Sequence, residues 1–106
     1  NLYGYSTHRS GKNIMKVTLH FNLPLQQRLQ RDSISIELPI QATLREAIMQ
    51  MVDQLPQTAK QLFLDAQHCC QPFTAYVIDK KKVDDPNKHS LKENDQITVL
   101  MPMAGG

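Results

Sequence analysis

Tryptophan is absent from the sequence of 106 residues, and none of the four glycines lies between Lys12 and Ala104. A glycine-free interior excludes the glycine-rich phosphate loops of nucleotide-binding proteins, and no G-x-S-x-G or H-E-x-x-H motif is present. No apolar run approaches the ~20 residues that span a membrane. We therefore expect a non-catalytic chain without a bound cofactor or metal and without a membrane segment.

Cysteine is limited to one adjacent pair, Cys69 and Cys70. Vicinal cysteines do not match the C-x-x-C spacing of metal and redox sites, so we expect two buried or half-buried thiols. His68 precedes the pair, but neighbours in sequence are not thereby neighbours in a catalytic site, and a nucleophile is not favoured. The sequence assigns no role to the pair, or to the segment from Pro56 to Pro72 that contains it.

The net charge of +2 comes from one end of the chain. Residues 1–14 hold Arg9 and Lys12 and no acidic residue, whereas residues 15–106 hold ten Lys or Arg and ten Asp or Glu. A domain without excess positive charge is not expected to bind nucleic acid. Residues 1–14 show no sustained period, which indicates a flexible leader or a cloning remnant ahead of one domain at residues 15–106. No secretory signal is evident, so we expect a cytoplasmic protein.

The domain begins with two predicted strands. Apolar and polar residues alternate in residues 16–21 and again in residues 33–38. Residues 22–32 contain Pro24, three Gln and two Arg, and they are predicted to form a turn or a broad loop whose leucines are available to pack. A short link between neighbouring strands favours an antiparallel hairpin.

A long helix follows the second strand. Thr43 and Glu46 stand at the spacing of a capping box, in which each side chain satisfies a free N–H group at the start of a helix. From Leu44 to Leu55, apolar residues recur at i, i+3, i+4, i+7, i+8 and i+11, which is one continuous stripe on a helix. Pro56 stops this helix, and a second, shorter helix is predicted through about residue 67.

The last third of the chain is predicted to return to strands. Residues 74–78 are rich in β-forming residues, and a weak edge strand is predicted around Val83. A tight turn at residues 92–95 places Asn94 in the left-handed conformation and leads into a final strand, which Pro102 ends. We expect the first and last strands to pair in the centre of the sheet, with the main helix across one face.

A short tail that ends in small residues follows the final strand. The tail consists of Pro102, Met103, Ala104, Gly105 and Gly106. Glycine has no Cβ, so a tail of this kind can enter a narrow cleft and leaves its terminal carboxylate open to attack. We therefore interpret Gly106 as a reactive terminus that leaves the centre of the sheet.

This C-terminal third resembles the β-grasp, ubiquitin-like sulfur carriers, above all the MoaD-type small subunit of molybdopterin synthase, with ThiS of the thiamine pathway as a close cousin. The resemblance rests on Leu91, a tight turn that ends in Asp95, an apolar strand, Pro102 and the Gly-Gly tail. It covers roughly residues 15–106. It implies an α+β fold, namely a β-grasp with a mixed sheet of four to five strands and a main helix packed across one face.

Three features depart from the family pattern, and one of them is the predicted hairpin that contains Lys80–Lys82 and Asp84–Asn87. Asn94 replaces the glycine that usually precedes the aspartate of the turn, which the backbone tolerates because asparagine also visits the left-handed conformation. The segment from Pro56 to Pro72 is longer than a minimal carrier needs, which makes the compact ThiS type a poorer match.

The resemblance implies a function as a sulfur carrier in molybdenum cofactor biosynthesis. A MoeB-type, ubiquitin-activating-like adenylyltransferase would use ATP to adenylate the carboxylate of Gly106, and sulfur transfer would convert it to a thiocarboxylate. Tail residues 102–105 would then enter the active site of the large, MoaE-type catalytic subunit of molybdopterin synthase. Leu100 and Met101, at the end of the strand, would contact the partner. The chemistry belongs to these partner enzymes, and the chain is their carrier and substrate.

Other functions fit the same residues. One is a ubiquitin-like protein modifier that is joined through Gly106 to lysines of other proteins. Another is a β-grasp interaction domain whose terminal glycines are incidental. A sulfur carrier with a different recipient, as in the thiamine pathway, is a variant of the main hypothesis.

Overall fold

A computed structural model describes residues 13–101, which form a five-stranded sheet with helices packed against it. The elements are β1 (Ile14–Phe21), α1 (Leu23–Leu29), β2 (Ser33–Pro39), α2 (Leu44–Asp53), a 3₁₀ helix (Gln57–Leu62), β3 (Ala75–Ile78), β4 (Lys81–Lys82) and β5 (Gln96–Leu100). The strand order is β2-β1-β5-β3-β4. β1 is antiparallel to β2 and parallel to β5, and β3 is antiparallel to both β5 and β4. The predicted α+β, β-grasp fold is confirmed, and so is the central pairing of the first and last strands.

One hydrophobic core lies between the sheet and α2. Burial alternates along β1, β2 and β5, because successive side chains of a strand point to opposite faces. The apolar stripe of α2 supplies the other side of the core through Leu44, Ala47, Ile48, Met51 and Val52. Full burial of a Val, Leu or Ile side chain contributes roughly 1.5–3 kcal/mol, so this shared core holds the helix on the sheet.

The predicted capping box starts α2. The hydroxyl of Thr43 accepts a hydrogen bond from the backbone N–H of Glu46 at 3.4 Å, and a carboxylate oxygen of Glu46 accepts one from the N–H of Thr43 at 2.8 Å. Two N–H groups that have no partner inside the helix are thereby satisfied. The helix ends at Asp53, two residues before the last residue of the predicted stripe.

The prediction of a loop at residues 22–32 is wrong, because α1 occupies most of it. Asn22 caps the helix through its side-chain oxygen, and a proline stands in the first turn, where its missing N–H costs no helical hydrogen bond. Leu25 and Leu29 lie one turn apart on the buried face. Gln30 ends the helix in the left-handed conformation, and its N–H donates to the carbonyl of Gln26.

The second predicted helix is shorter than expected. It is a 3₁₀ helix that ends at Leu62, and residues 63–71 then form a small hairpin rather than more helix. Within this hairpin the N–H of Asp65 donates to the carbonyl of Cys69 at 2.8 Å, and the N–H of Gln71 donates to the carbonyl of Phe63 at 2.8 Å. The long segment from Pro56 to Pro72 is therefore an ordered part of the fold, and it carries both cysteines.

The predicted edge strand is β4, which follows β3 through a two-residue turn. Asp79 and Lys80 both have positive φ, 54° and 68°, as the turns that match the twist of a hairpin require. The N–H of Val83 donates to the carbonyl of Tyr76 at 2.8 Å, which extends the pairing by one residue beyond β4.

Within residues 13–101, no helix is long and apolar enough to cross a membrane. In the same part of the chain, no group of three or more His, Cys, Asp and Glu side chains is placed to hold a metal ion.

Candidate functional site

The candidate site is the end of β5, where the chain leaves the sheet. β5 is hydrogen-bonded to β1 on one side and to β3 on the other. Phe21 of β1 pairs with Val99, and Ala75 of β3 pairs with Leu100. Val99 is therefore held between β1 and β3, Leu100 is held by β3, and the described chain ends at Met101 in the middle of the sheet edge.

Asn22 links this exit to the start of α1. Its backbone N–H donates to the carbonyl of Val99 at 3.1 Å, and its side-chain Nδ2 donates to the carbonyl of Met101 at 3.1 Å. Its Oδ1 accepts a hydrogen bond from the N–H of Leu25 at 3.4 Å, which caps α1. A single amide thus satisfies a free helix N–H and continues the pairing of β5 beyond the end of β1.

Leu100 and Met101, the residues predicted to contact a partner, are both half-buried. Val99 lies on the core face, so strand alternation places Leu100 on the opposite face of the sheet. Met101 packs against the edge of the core. Their role in partner contact stays a prediction, and the predicted tail residues Pro102, Met103, Ala104, Gly105 and Gly106 lie outside the described residues.

The other end of β5 is anchored by the turn that precedes it. Asn94 has a φ of 67°, which confirms the predicted left-handed conformation. Its N–H donates to the carbonyl of Lys16 at 2.8 Å, and a carboxylate oxygen of Asp95 accepts a hydrogen bond from the N–H of Lys92 at 2.8 Å. The N–H of Thr18 donates to the carbonyl of Asp95 at 3.0 Å. These bonds hold the start of β5 on β1 and so fix the register that positions its exit.

The cysteine pair lies on the return arm of the 63–71 hairpin. Cys70 is half-buried as predicted, but Cys69 is exposed, because adjacent residues of an extended arm point to opposite sides. Burial raises the pKa of the Cys70 thiol, and the Arg45 guanidinium opposes that rise only in part. Arg45 Nη2 also donates to the carbonyl of His68 at 2.7 Å, which ties the hairpin to α2. A thiol whose pKa is raised by burial is a poorer nucleophile than an ordinary cysteine thiol.

Tyr76 has a buried hydroxyl without a hydrogen-bond partner among the described residues. Burial raises the pKa of this phenol far above its ordinary value, and the nearby Cys70 thiol adds to the rise. Such a group costs free energy, because it gives up its hydrogen bonds to water and gains none from the part of the chain that the structure describes.

Asn22 is the site residue that sequence analysis missed. The available signal was an asparagine two residues before a proline, which is typical of a helix N-cap. Its hydrogen bond to Met101 had no local signal, because the two residues are 79 positions apart.

Comparison by sequence finds no matching family model and no matching curated protein. Comparison by structure finds β-grasp proteins. The crystal structure of small archaeal modifier protein 1 from Haloferax volcanii matches with a TM-score of 0.74 and 12% identity, over 86% of this chain and 99% of that chain.

Two further structures carry the same fold. A Pyrococcus furiosus protein, provisionally assigned as molybdopterin converting factor, subunit 1, matches with a TM-score of 0.64 and 19% identity, over 84% of this chain and 99% of that chain. A chain of the BexX/CysO complex from Amycolatopsis orientalis matches with a TM-score of 0.61 and 19% identity, over 85% of this chain and 99% of that chain. At these identities the similarity shows a shared β-grasp fold.

Proposed function

We propose that this chain is a ubiquitin-like sulfur carrier, and specifically a MoaD-type small subunit of molybdopterin synthase. The observation that carries the proposal is the exit from β5. The strand lies at the centre of the sheet, is paired on both sides up to Val99 and with β3 up to Leu100, and leads in sequence into Pro102 and the Gly105–Gly106 tail. A tail of small residues on a fixed base suits insertion into another protein.

The proposed chemistry takes place at the carboxylate of Gly106. Attack of a carboxylate oxygen on the α-phosphorus of ATP forms an acyl adenylate and releases pyrophosphate. A sulfur nucleophile, carried as a persulfide by a donor protein, then attacks the carbonyl carbon and expels AMP. Reductive cleavage of the resulting acyl disulfide by a thiol leaves the thiocarboxylate. Glycine at both tail positions keeps the carbonyl accessible throughout.

The proposed partners are a MoeB-type adenylyltransferase and the MoaE-type large subunit of molybdopterin synthase. The described residues of this chain serve as a scaffold that presents the tail and contribute no catalytic group. The similarity in fold to a protein assigned as molybdopterin converting factor, subunit 1, supports this choice of recipient. A cytoplasmic location follows for a substrate of such enzymes.

The test is intact-mass spectrometry after incubation with ATP, the MoeB-type enzyme and a sulfur donor. Replacement of one oxygen by sulfur raises the mass by about 16 Da, and fragmentation must assign that change to Gly106. A variant that lacks Gly106 is the matched control. An unchanged mass with an enzyme that loads an authentic carrier would overturn the proposal.

A protein modifier is a second candidate, favoured by the similarity in fold to small archaeal modifier protein 1, with a TM-score of 0.74. In that case Gly106 forms an isopeptide bond with lysines of target proteins. Conjugates carrying an N-terminal epitope tag would appear in cells that express the full chain and disappear when Gly106 is deleted. Thiocarboxylate without conjugates favours the sulfur carrier.

A further inference from the structure

The large apolar side chains that are exposed in residues 13–101 fall into two pairs at opposite ends of the sheet. Leu23 is 64% exposed and Phe73 is 47% exposed, and both lie at the end where β5 finishes. Ile14 and Ile40, which are 43% and 51% exposed, lie at the end where β1 starts. The eight residues of β1 separate the two ends by about 25 Å.

Leu23 is placed beside the exit by its neighbour. Asn22 donates to the carbonyls of Val99 and Met101, so the first residue of α1 follows directly from the residue that holds the end of β5. The buried face of α1 is formed by Leu25 and Leu29, and Leu23 stays outside it.

Phe73 is placed on the other side of the exit by β3. Ala75 pairs with Leu100, and Phe73 precedes it by two residues at the same end of the sheet. Thr74 is buried, and its hydroxyl donates to the carbonyl of Leu62 at 2.8 Å. This bond anchors the loop through Thr74 and leaves Phe73 exposed. We call Leu23 and Phe73 the exit rim.

The short tail brings any enzyme that acts on it close to the exit rim. Five residues follow Met101. Fully extended, five residues span at most about 18 Å. An enzyme that holds the carboxylate of Gly106 at a buried reactive centre must therefore surround the exit with the mouth of its cleft. The exit rim flanks that position on both sides.

We propose that the exit rim is the apolar docking contact for the mouth of the adenylating enzyme's cleft. The inference rests on the proposed function, because adenylation is the first step that requires Gly106 inside another protein. The recognised partner surface is apolar, since exposed Leu and Phe side chains gain from leaving water and have no charge to pair. Leu23 and Phe73 thereby set the affinity of the carrier, while the tail alone meets the reacting atoms.

The experiment compares two double variants in ATP–pyrophosphate exchange by the MoeB-type enzyme. One carries Leu23→Ser and Phe73→Ser, and the matched control carries Ile14→Ser and Ile40→Ser. We expect the exit-rim variant to raise KM for the carrier by ~10-fold or more at unchanged kcat, because the lost contacts are remote from the chemistry. The control is expected to stay within about twofold of the wild type, because both isoleucines lie at the far end of the sheet.

Folding is checked on the same samples. All four substituted side chains are exposed, so both double variants are expected to keep the wild-type unfolding midpoint. A second exit-rim variant with Leu23→Gln and Phe73→Gln removes the apolar surface while keeping a good helix former at the start of α1. The same rise in KM is expected for both exit-rim variants.

Failure of the inference is distinguishable from failure of the proposed function. If the wild-type chain supports exchange and the exit-rim variants do so with unchanged KM, the docking contact is overturned and the carrier function stands. An equal rise in KM for the Ile14 and Ile40 control also overturns it. If the wild-type chain supports no exchange with an enzyme that is active on its own carrier, both the docking contact and the carrier function are overturned.

Discussion

Asn22 and Met101 are joined by a hydrogen bond of 3.1 Å from the side-chain amide to the backbone carbonyl, across 79 positions of sequence. The same side chain caps α1. One residue therefore couples the helix next to the exit with the strand that leads into the tail.

Asn22→Ala is expected to lower the free energy of unfolding by about 2 kcal/mol. Loss of the helix cap contributes about 1 kcal/mol. Loss of the hydrogen bond to the Met101 carbonyl contributes about 1 kcal/mol more. Urea denaturation measures the change. Asn22→Asp keeps the capping oxygen and removes only the donor, so it should cost less than Asn22→Ala. Equal losses for the two variants would mean that the cap contributes nothing.

The capping box of α2 predicts non-additive losses. Thr43→Ala and Glu46→Ala each remove hydrogen bonds that the other residue shares, and each single variant is expected to lose about 1 kcal/mol of unfolding free energy. The double variant is then expected to lose less than the sum of the two, by about 0.5 kcal/mol or more. A double-mutant cycle in urea measures this coupling. Strict additivity would show that the two side chains contribute independently and that the bond between the Thr43 hydroxyl and the Glu46 carboxylate adds no coupling.

The two thiols are expected to react at different rates with iodoacetamide. Cys69 is exposed, whereas Cys70 is half-buried. Burial raises the pKa of Cys70, so a smaller fraction of it is thiolate at neutral pH than for an ordinary cysteine. Mass spectrometry of the Cys69→Ser and Cys70→Ser variants follows each thiol separately. Cys70 should label more slowly in the folded chain. The difference should largely vanish in denaturant, and its persistence there would contradict the structural cause.

Tyr76→Phe is expected to raise the free energy of unfolding by about 1 kcal/mol, because it removes a buried hydroxyl that has no hydrogen-bond partner within residues 13–101. It should also change the response to alkaline pH. Burial raises the pKa of Tyr76 above its ordinary value of 10.0, so the unfolded chain loses this proton first. The free energy of unfolding is therefore unaffected by this titration below pH 10 and falls as the pH rises further, because the unfolded chain releases the proton more readily.

Thermal unfolding from pH 8 to pH 11 checks the predicted loss of stability at alkaline pH. The wild-type chain should lose more stability above pH 10 than Tyr76→Phe does. Parallel pH profiles for the two proteins would mean that this phenol titrates alike in the folded and unfolded chain.

Much of the fold was predictable where local chemistry and the final packing agree. Alternation in β1 and β2 requires one buried face, and the stripe and capping box of α2 act within a few residues. Asn94 was predictable because few non-glycine residues tolerate its positive φ.

The errors came from segments whose local signals conflict. In residues 22–32 a proline suggested a loop, although a proline in the first turn is compatible with a helix, and the buried Leu25 and Leu29 stabilise α1. Beyond Leu62 the apolar spacing continued, but the hairpin bonds of Asp65 and Gln71 replaced helical ones. Exposure of Cys69 depends on that hairpin, so it could not be predicted from the cysteine spacing.

The central parallel pair has a consequence for synthesis of the chain. β1 contains some of the first described residues to be translated, and its partner β5 contains the last. Until residues 96–100 leave the ribosome, one side of β1 and one side of β3 lack their neighbour, and Ile97 and Val99 are missing from the core. The sheet therefore closes only as translation reaches the segment that bears the tail. A ribosome stalled before β5 would hold an incomplete sheet, so the nascent chain is not expected to form the folded domain at that stage.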